Sequence, residues 1–401
     1  MSYKEIAIGE VCKYITSGGT PKSNINEYYN PPTVPWLKTK EVNYCRIYET
    51  ETYISEEGLK RSSAKLIPPN SVIVAMYGQG DTAGRVAINK IPLTTNQACC
   101  NLIIDESKAN YEFVYYALTT LYSKLVSLKN GGAQPNLNAT LVRGIKIPYP
   151  DLSIQHRIAH ILSAYDDLIE NNRKQIKMLE EAAQRLYKEW FVDLRFPGHE
   201  HTKIVDGVPE GWEKSTVSNI SSVLRRGISP KYNDQAELMV INQKCIRQTV
   251  VTFDEARKQE KPFPEEMNLQ DGDTVICSTG AGTLGRVGQI FGNYPQTTFD
   301  SHVTLVRAKL DFGTQYLFHF LKSQQEYLMG MGKGSTNQLE LSRGTIQDLG
   351  ILVPIKEIGK EFETLAQPFH DKIGVTNAEI RHLQNARDRL LPKLMSGEVE
   401  V

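Results

Sequence analysis

The chain has 401 residues, of which 40% are hydrophobic and 23% are charged, a composition that argues against disordered and fibrous proteins. Its 46 basic residues balance its 46 acidic residues, so net charge cannot hold the chain on nucleic acid, and any phosphate contact must come from a local patch or a partner. No apolar run reaches the roughly 18 residues of a membrane helix, and the amino terminus lacks a signal-peptide core. We therefore expect a cytoplasmic protein with no membrane partner.

In chain order, the sequence predicts five segments. A first globular domain covers residues 1–151, a long helix 152–194, a linker 195–211, a second domain 212–355 and a second long helix 356–401. The linker is rich in Pro, Gly and His and shows no sustained period, as is typical of a connection. We expect an α+β fold in which each domain is mixed α/β, with a twisted sheet and flanking helices.

The two domains are predicted to be similar because the chain contains an internal repeat. AMYGQGDTAGRVAI, which begins at Ala75, matches CSTGAGTLGRVGQI, which begins at Cys277, and the match places Arg85 and Arg286 201 residues apart. Each glycine-rich loop follows an apolar strand. Around the loops, ITSGGTPK matches LRRGISPK, VPWLKTKEV matches LMVINQKCI, PLTTNQA matches PQTTFDS, NGGAQPNLN matches GKGSTNQLE, and IKIP matches ILVP.

Each domain is followed by a helix with the apolar period of a coiled coil. Over about 154–192 and about 358–396, mostly apolar residues recur at alternating steps of four and three, with Arg387 as the one poor fit. We call the row of these positions, through which paired helices would pack, the seam. This 3.5-residue period is typical of coiled coils and not of ordinary surface helices.

Asn172 and Thr376 occupy equivalent seam positions near the middles of the two helices. An antiparallel pairing would place them opposite each other. A lone polar residue in such a seam is either a tolerated, partly hydrated position or a pin that fixes the helix register. The sequence favours neither reading.

The order of these segments resembles the specificity subunits of type I restriction-modification systems. The resemblance covers the whole chain and rests on GGTP before PWLKTKEV, the two glycine-rich loops, AQPNLNATLVRGIKIPYP before the first helix, PEGWE before the second domain, and LQNARDRLLPKLMSGEV at the end. The second half departs in STNQLELSRGTIQDLGILVP, which has five more residues between Asn337 and Pro354 than lie between Asn136 and Pro148.

The resemblance implies two target recognition domains, related by a pseudo-twofold repeat, that each read one half of a bipartite site in double-stranded DNA. It implies that the helices form one antiparallel coiled coil that spaces the readers and docks two methyltransferase subunits, to which restriction subunits can be added. It implies that this chain has no active site and binds no cofactor. Partner subunits would use S-adenosylmethionine and, for restriction, ATP with Mg.

Sequence segments that resemble motifs for catalysis or metal binding each lack a defining residue of the motif. NPPT at 30–33 has Thr33 where an amino-adenine methyltransferase loop has an aromatic residue, so we interpret it as a turn. The glycine-rich loops lack the Lys-Ser/Thr of a nucleotide-binding loop. His156 and His160 lie four residues apart without the Glu of a zinc protease, so we expect solvated histidines, and the cysteines show no metal-ligand spacing. The alternative function is a coiled-coil scaffold whose paired domains bind protein or a small ligand.

Candidate DNA-binding residues are basic, or carry an amide or a hydroxyl group. The basic residues could grip phosphates or be ordinary surface charge, and the amides could read adenine or simply form turns. The basic candidates are Lys22, Lys38, Lys40, Arg225, Arg226, Lys231, Lys244 and Arg247. The polar candidates are Thr20, Gln79, Gln134, Asn136, Asn138, Gln243, Thr336, Asn337 and Gln338.

Arg85 and Arg286 complete the predicted DNA-binding set. An arginine at the end of a glycine-rich loop could reach a phosphate or a guanine, or could anchor the loop within its own domain. Because the repeat keeps both at one position in domains that would read different sequences, we favour a structural or phosphate-binding role over base readout.

Overall fold

The computed structural model describes residues 3–78, 80–128, 136–280, 282–332 and 339–401. The chain forms two compact units. Unit 1 comprises Met1–Glu170 and Arg381–Val401, and unit 2 comprises Asn171–Ile380. In the described part of the chain, no helix is long and apolar enough to cross a membrane.

Unit 1 combines short strands with helices. Its strands are β1 (Glu5–Ala7), β2 (Cys12–Ser17), β3 (Val34–Leu37), β4 (Cys45–Ile47), β5 (Tyr53–Ile54), β6 (Val72–Ala75), β7 (Val86–Asn89), β8 (Thr94–Thr95), β9 (Cys99–Ile104) and β10 (Lys146–Pro148). Its helices are α1 (Ile8–Val11), α2 (Glu56–Lys60), α3 (Tyr111–Thr120), α4 (Tyr122–Ser127), α5 (Ala139–Arg143) and the first part of α6 (Leu152–Tyr187).

The main sheet of unit 1 has the strand order β2-β9-β6-β7-β4. Strands β6, β7 and β9 are buried along their whole length, which fits their short, mostly apolar sequences. Helix α3 packs in the same core, and its first turn is capped by Asn110, whose Oδ1 accepts from Phe113 N (2.9 Å). Smaller sheets have the orders β5-β3-β8 and β1-β10.

Unit 2 repeats this composition. Its strands are β11 (Ile204–Val205), β12 (Val208–Pro209), β13 (Glu213–Thr216), β14 (Ser221–Arg226), β15 (Leu238–Ile241), β16 (Arg257–Gln259), β17 (Thr274–Cys277), β18 (Val287–Gln289), β19 (Thr297–Phe299), β20 (Val303–Ala308) and β21 (Gly350–Val353). Its helices are α7 (Val217–Ile220), α8 (Thr314–Ser323), α9 (Gln325–Gly330), α10 (Arg343–Gln347) and most of α11 (Lys356–Ser396).

The sheets of unit 2 correspond to those of unit 1. Their orders are β14-β20-β17-β18, β16-β15-β19 and β13-β21. In both three-stranded sheets the central strand pairs antiparallel with one neighbour and parallel with the other. The predicted linker contains one additional hairpin, β11-β12. The α+β class and the internal repeat are confirmed.

The long helices pair antiparallel within unit 1. Ile158, near the start of α6, shares a core with Leu394, near the end of α11. Further along α6, Asp166 accepts a hydrogen bond from Arg387 of α11 (2.5 Å). Residue numbers thus rise along one helix as they fall along the other.

The same antiparallel pairing holds within unit 2. The ring of Trp190, in a π-helical segment (Lys188–Val192) that extends α6, lies 5.9 Å from the ring of Phe362. Earlier in α6, Ala183 lines a cavity together with Phe369 of α11. The predicted antiparallel coiled coil is confirmed in each unit, and both helices begin within two residues of the predicted starts.

The polar seam residues Asn172 and Thr376 are both buried, with 7% and 0% of their surface exposed. Asn172 Nδ2 and Thr376 Oγ1 have no hydrogen-bond partner within the described residues. A buried polar group without a partner costs about 1–3 kcal/mol. The predicted position of both residues in the seam is confirmed. The two atoms form no direct hydrogen bond with each other, so no such bond fixes the helix register.

Candidate nucleic-acid interface

Segments of unit 1 that carry predicted DNA-binding residues are joined by backbone hydrogen bonds. They follow β2, β3, β6 and β8 or precede α5. The bonds are Gly19 N to Thr95 O (2.8 Å), Asn96 N to Leu37 O (2.9 Å), Met76 N to Ala98 O (2.7 Å) and Leu137 N to Met76 O (3.0 Å). We call these connected segments loop group 1.

The corresponding segments of unit 2, which we call loop group 2, are joined in the same way. The bonds are Ile228 N to Phe299 O (3.0 Å), Asp300 N to Ile241 O (2.9 Å), Ser278 N to His302 O (2.7 Å) and Leu341 N to Ser278 O (2.8 Å). Each bond has a counterpart in loop group 1. The backbone of the candidate interface is therefore built twice, as the sequence repeat predicts.

Glycine permits the tight crossing after the first strand of each main sheet. A Cβ atom on Gly18 would lie 2.1 Å from Asn96 O, and one on Gly227 would lie 2.1 Å from Phe299 O. No other residue fits so close to a backbone oxygen. The glycines of GGTP and RRGISP therefore bring their following residues against the other loops.

The structure corrects one pairing made from the sequence. Leu341 takes the place of Leu137, so Asn136 corresponds to Glu340 and not to Asn337. Asn138 and Ser342 then hold equivalent positions, and each caps the helix that follows it, α5 or α10. Three of the five additional residues of the second half therefore lie before Leu341 and two lie after α10, because α5 and α10 both have five residues.

Six of the predicted basic side chains are paired with carboxylates. The pairs are Lys40 with Glu51, Arg85 with Asp81, Arg225 with Glu266, Arg226 with Glu340, Lys231 with Glu260, and Arg247 with Glu255. A hydrogen bond to Glu51 raises the pKa of Lys40, and a hydrogen bond from Lys231 lowers the pKa of Glu260. Pairs between exposed side chains are weak, so a phosphate can replace the carboxylate.

Three predicted lysines form no ion pair within the described residues. Lys22 and Lys244 are exposed. Lys38 is half-buried, and its ammonium group lies 5.2 Å from the centre of the Trp36 ring. These three lysines can meet a phosphate without losing a carboxylate partner.

Arg85 and Arg286 differ although the repeat places them identically. Arg85 donates from Nη2 to Asp81 Oδ1 (2.6 Å) and from Nη1 to Asn43 Oδ1 (3.0 Å). It therefore ties its glycine-rich loop to the segment after β3. Arg286 is half-buried, and its side chain has no hydrogen bond or ion pair within the described part of unit 2. Loop anchoring accounts for Arg85, whereas the role of Arg286 stays a prediction.

The polar candidates are partly occupied by local bonds. Thr20 donates to Gln97, and Asn138 Oδ1 caps α5 by accepting from Leu141 N (2.9 Å). Gln243 Oε1 accepts from Thr283 Oγ1 (3.3 Å), which holds the amide against the glycine-rich loop of unit 2. Asn136 is exposed. The remaining candidates, Gln79, Gln134, Thr336, Asn337 and Gln338, lie outside the described residues and stay predictions.

Sequence reasoning missed a concave surface that adjoins loop group 2. Gln243 and Lys244 line it together with Tyr232, Arg257 and His302. The region of Arg257 has no match in the first half of the sequence, so the repeat gave no signal there. Only the pairing of β15 with β16 brings Arg257 to this surface.

The side chains that could suggest catalysis have other roles. NPPT forms an exposed turn, as predicted, and His156 and His160 are exposed on α6. Among the described residues, no three His, Cys, Asp or Glu side chains are grouped to hold a metal ion. Burial raises the pKa of the Cys100 and Cys277 thiols to about 12, so both stay protonated at neutral pH.

Comparison with known proteins identifies the family. The model of the type I restriction modification DNA specificity domain matches residues 2–181 and 209–385. The MjaIX specificity subunit of Methanocaldococcus jannaschii, a type I restriction enzyme, is 28% identical over 428 residues that cover 100% of this chain and 96% of that protein. The EcoR124I/EcoR124II specificity subunit of Escherichia coli is 30% identical over 192 residues, which cover 47% of each chain.

A solved structure supports the same fold. The S subunit of a type I restriction-modification system from M. genitalium superposes with a TM-score of 0.60 at 16% identity, over 98% of this chain and 96% of that one. The family model matches once in each half of the chain, and each match contains one of the two loop groups. The chain therefore belongs to the type I restriction-modification DNA specificity subunits.

Proposed function

We propose that each unit of this chain reads one half of a bipartite site in double-stranded DNA. The observation that carries this proposal is the duplicated loop junction, in which the backbone bonds are the same but the side chains differ. Lys38 and Thr39 of loop group 1 correspond to Asn242 and Gln243 of loop group 2. A common scaffold with different polar side chains suits two readers of different sequences.

The basic side chains of both loop groups supply the phosphate contacts in this proposal. Their carboxylate partners neutralise them before DNA binds, in keeping with the balanced charge of the chain. Phosphates then replace carboxylates and position each unit on the duplex. Base readout is left to the polar side chains of the same loops.

The long helices serve, in this proposal, to space the readers and to dock two methyltransferase subunits. Large apolar side chains remain exposed along them, as partner contacts require: Leu168, Met178, Leu365 and Val375. Helix α11 has 41 residues, which corresponds to about 60 Å. Half-sites centred about one helical turn apart would leave an unread spacer of about 5 to 8 base pairs.

Chemistry is assigned to the partner subunits. We propose that this chain contributes no active site, that the methyltransferase subunits bind S-adenosylmethionine, and that restriction subunits, where they join, use ATP with Mg. The complex would act on DNA in the cytoplasm. The alternative, a coiled-coil scaffold for protein or small ligands, predicts no selection of a DNA motif by the chain mixed with its methyltransferase.

Exchange of one unit tests the reading of half-sites. Residues 212–355 are replaced by the corresponding region of a relative, and the methylated adenines of the host genome are mapped. Only one half of the modified motif should change, because each loop group has its own core and its own hydrogen bonds. A change in both halves would contradict independent readers.

Removal of one heptad from each helix tests the spacing. Residues 173–179 and 374–380 both lie in unit 2, and their removal keeps the seam in phase. Each helix shortens by about 10 Å, near three base pairs. We expect the same half-sites with a shorter spacer, or loss of methylation. Full activity with an unchanged spacer would exclude the helices as the spacing element.

A further inference from the structure

The concave surface beside loop group 2 holds an arginine that differs from the paired basic side chains. The surface encloses about 330 Å³. Arg257 begins β16, opposite Val240 of β15. Its guanidinium carbon lies 3.5 Å from the centre of the Tyr232 ring, and it forms no ion pair within the described residues of unit 2. Arg257 is exposed, yet an aromatic ring holds it in place.

Backbone pairing fixes this stacking. Tyr232 forms an antiparallel bridge with Gln259, two residues from Arg257, and Asn233 N donates to Lys258 O (3.3 Å). The ring is therefore held beside the strand that carries the arginine. A guanidinium group stacked on a ring keeps its N–H donors in the plane of its edge, where they are free to donate. Less side-chain freedom is lost when such a group binds.

The charges around Arg257 disfavour a phosphate as its ligand. Asp254, Glu255 and Asp300 line the same surface. Glu255 is paired with Arg247 (3.2 Å), and Asp300 is buried and accepts from His302 N (2.9 Å). A phosphate here would meet three carboxyl groups, whereas Lys244 is the one further lysine or arginine among the described residues that line the surface. The edge of a base is neutral, and carboxylates can accept from the amino group of cytosine.

We propose that Arg257 reads a guanine in the half-site of unit 2, with Tyr232 as its positioning residue. Arg257 would donate two hydrogen bonds to O6 and N7 of the guanine in the major groove, the geometry that suits a guanidinium fork. This inference rests on the proposed function of unit 2. In unit 1 the residue that pairs with Trp36, the counterpart of Val240, is Thr52, so the contact belongs to unit 2 alone.

The test uses the full chain, expressed with its methyltransferase, and maps methylated sites across a genome. Arg257→Ala should relax one guanine in one half of the motif, with roughly a 10- to 100-fold loss of preference for that base. Arg257→Lys keeps the charge but loses the fork, so it should relax the same position with a smaller loss of overall methylation. Tyr232→Leu should relax it less than Arg257→Ala does.

Arg247→Ala is the matched control. Arg247 is also exposed, but it is paired with Glu255, which lines the same surface, and it is predicted to contact phosphate. Its loss should lower methylation of all sites to a similar extent, without relaxing any base. If Arg257→Ala and Arg257→Lys behave in that way too, Arg257 is a phosphate contact and the proposal is overturned.

Two further results bear on the proposal. A wild-type motif without guanine on either strand of the half assigned to unit 2 by the exchange of residues 212–355 would overturn it, while leaving the proposed function intact. If the exchange of residues 212–355 altered neither half-site, that result would instead contradict the proposed function itself. If Arg257→Ala misfolds, selection of the half-site read by unit 1 would be lost as well. In that case the base preference of Arg257→Lys tests the proposal.

Discussion

The seam between the long helices is filled by different chemistry in the two units. In unit 1, Asp166 of α6 accepts from Arg387 of α11 (2.5 Å) and from the hydroxyl of Tyr116 (2.5 Å). The positions 204 residues away in the repeat are His370 and Ala183 in unit 2. An ion pair in one unit thus corresponds to a histidine and a methyl group in the other.

The difference extends to the strand beside the seam. Arg46 pairs with Ile88 across two parallel strands and donates to Asp167 and to Glu112 (3.2 Å). The corresponding bridge in unit 2 joins Val250 to Gln289. Unit 1 therefore places a second cation, whose side chain is 6% exposed, where unit 2 has an apolar side chain.

Unit 2 has a histidine at the position of Asp166 and leaves space. His370 Nδ1 donates to Gln289 Oε1 (3.0 Å), its Nε2 lies 3.1 Å from Asp271 Oδ1, and its ring stacks on Phe291 at 4.3 Å. A cavity of about 160 Å³ remains, lined by Ala183 and by His319, among others. The apolar period that aligns the helices is shared, whereas the polar contents of the seam have diverged. The two units should therefore respond differently to the loss of charge, to acid and to added volume.

The largest expected effect is the loss of Arg387. Arg387→Ala copies the alanine of unit 2 but leaves Asp166 buried without its cation, which should lower the free energy of unfolding by about 3 kcal/mol. Chemical denaturation of the full chain measures it. Asp166→Leu combined with Arg387→Leu should recover most of the loss, because no charge is then left buried. A double variant as unstable as the single one would show that the ion pair is not the cause.

Acid should weaken unit 2 through His319. Burial lowers the pKa of this side chain to about 3, whereas the unfolded side chain titrates near 6.5. The folded state thus binds fewer protons between these values, so its stability is complete above about pH 6.5 and falls as the pH drops towards 3. From pH 7 to pH 5 the loss should be about 2 kcal/mol.

His319→Gln should remove that part of the acid sensitivity, as denaturation at pH 7 and pH 5 would show. Glutamine preserves a neutral polar group beside Gln184, to which His319 Nδ1 donates (2.9 Å). Glu180, Glu181, Lys322 and His370 line the same cavity and stay in place. His160→Gln, at an exposed histidine, is the control and should change nothing. An unaltered pH dependence in His319→Gln would mean that other groups carry it.

A substitution at the midpoint of the seam should change the free energy of unfolding less. Asn172 Nδ2 is buried without a partner within the described residues, so Asn172→Leu should raise the free energy of unfolding by about 1 kcal/mol. An apolar seam also accepts more alignments, so the spacer of the methylated motif should become less uniform. A sharp fall in stability with a uniform spacer would mean that Asn172 makes some other bond.

The sequence predicted what depends on period and repetition. The 3.5-residue pattern predicted the two helices, and the repeat predicted two equivalent loop groups. It did not predict the partner of Arg387, which looked like a poor seam residue because Asp166 lies 221 residues earlier. Arg257 and Tyr232 were missed as a pair, since only the pairing of Tyr232 with Gln259 brings them together. Asn136 was matched to the wrong residue because similar letters, and not hydrogen bonds, set the alignment.

The smallest expected effect comes from filling the cavity of unit 2. Ala183 is buried and lines the cavity, so Ala183→Leu can place three more carbon atoms in space that is already open. We expect a gain of about 0.5 to 1 kcal/mol in the free energy of unfolding. The matched control is Ala159→Leu in unit 1, a buried alanine of α6 within a packed core, where added volume should instead cost about 1–3 kcal/mol. Thermal denaturation of both variants separates the two cases. If both lose stability equally, the cavity of unit 2 is no more tolerant than the filled seam of unit 1, and the contrast between the units is one of charge alone.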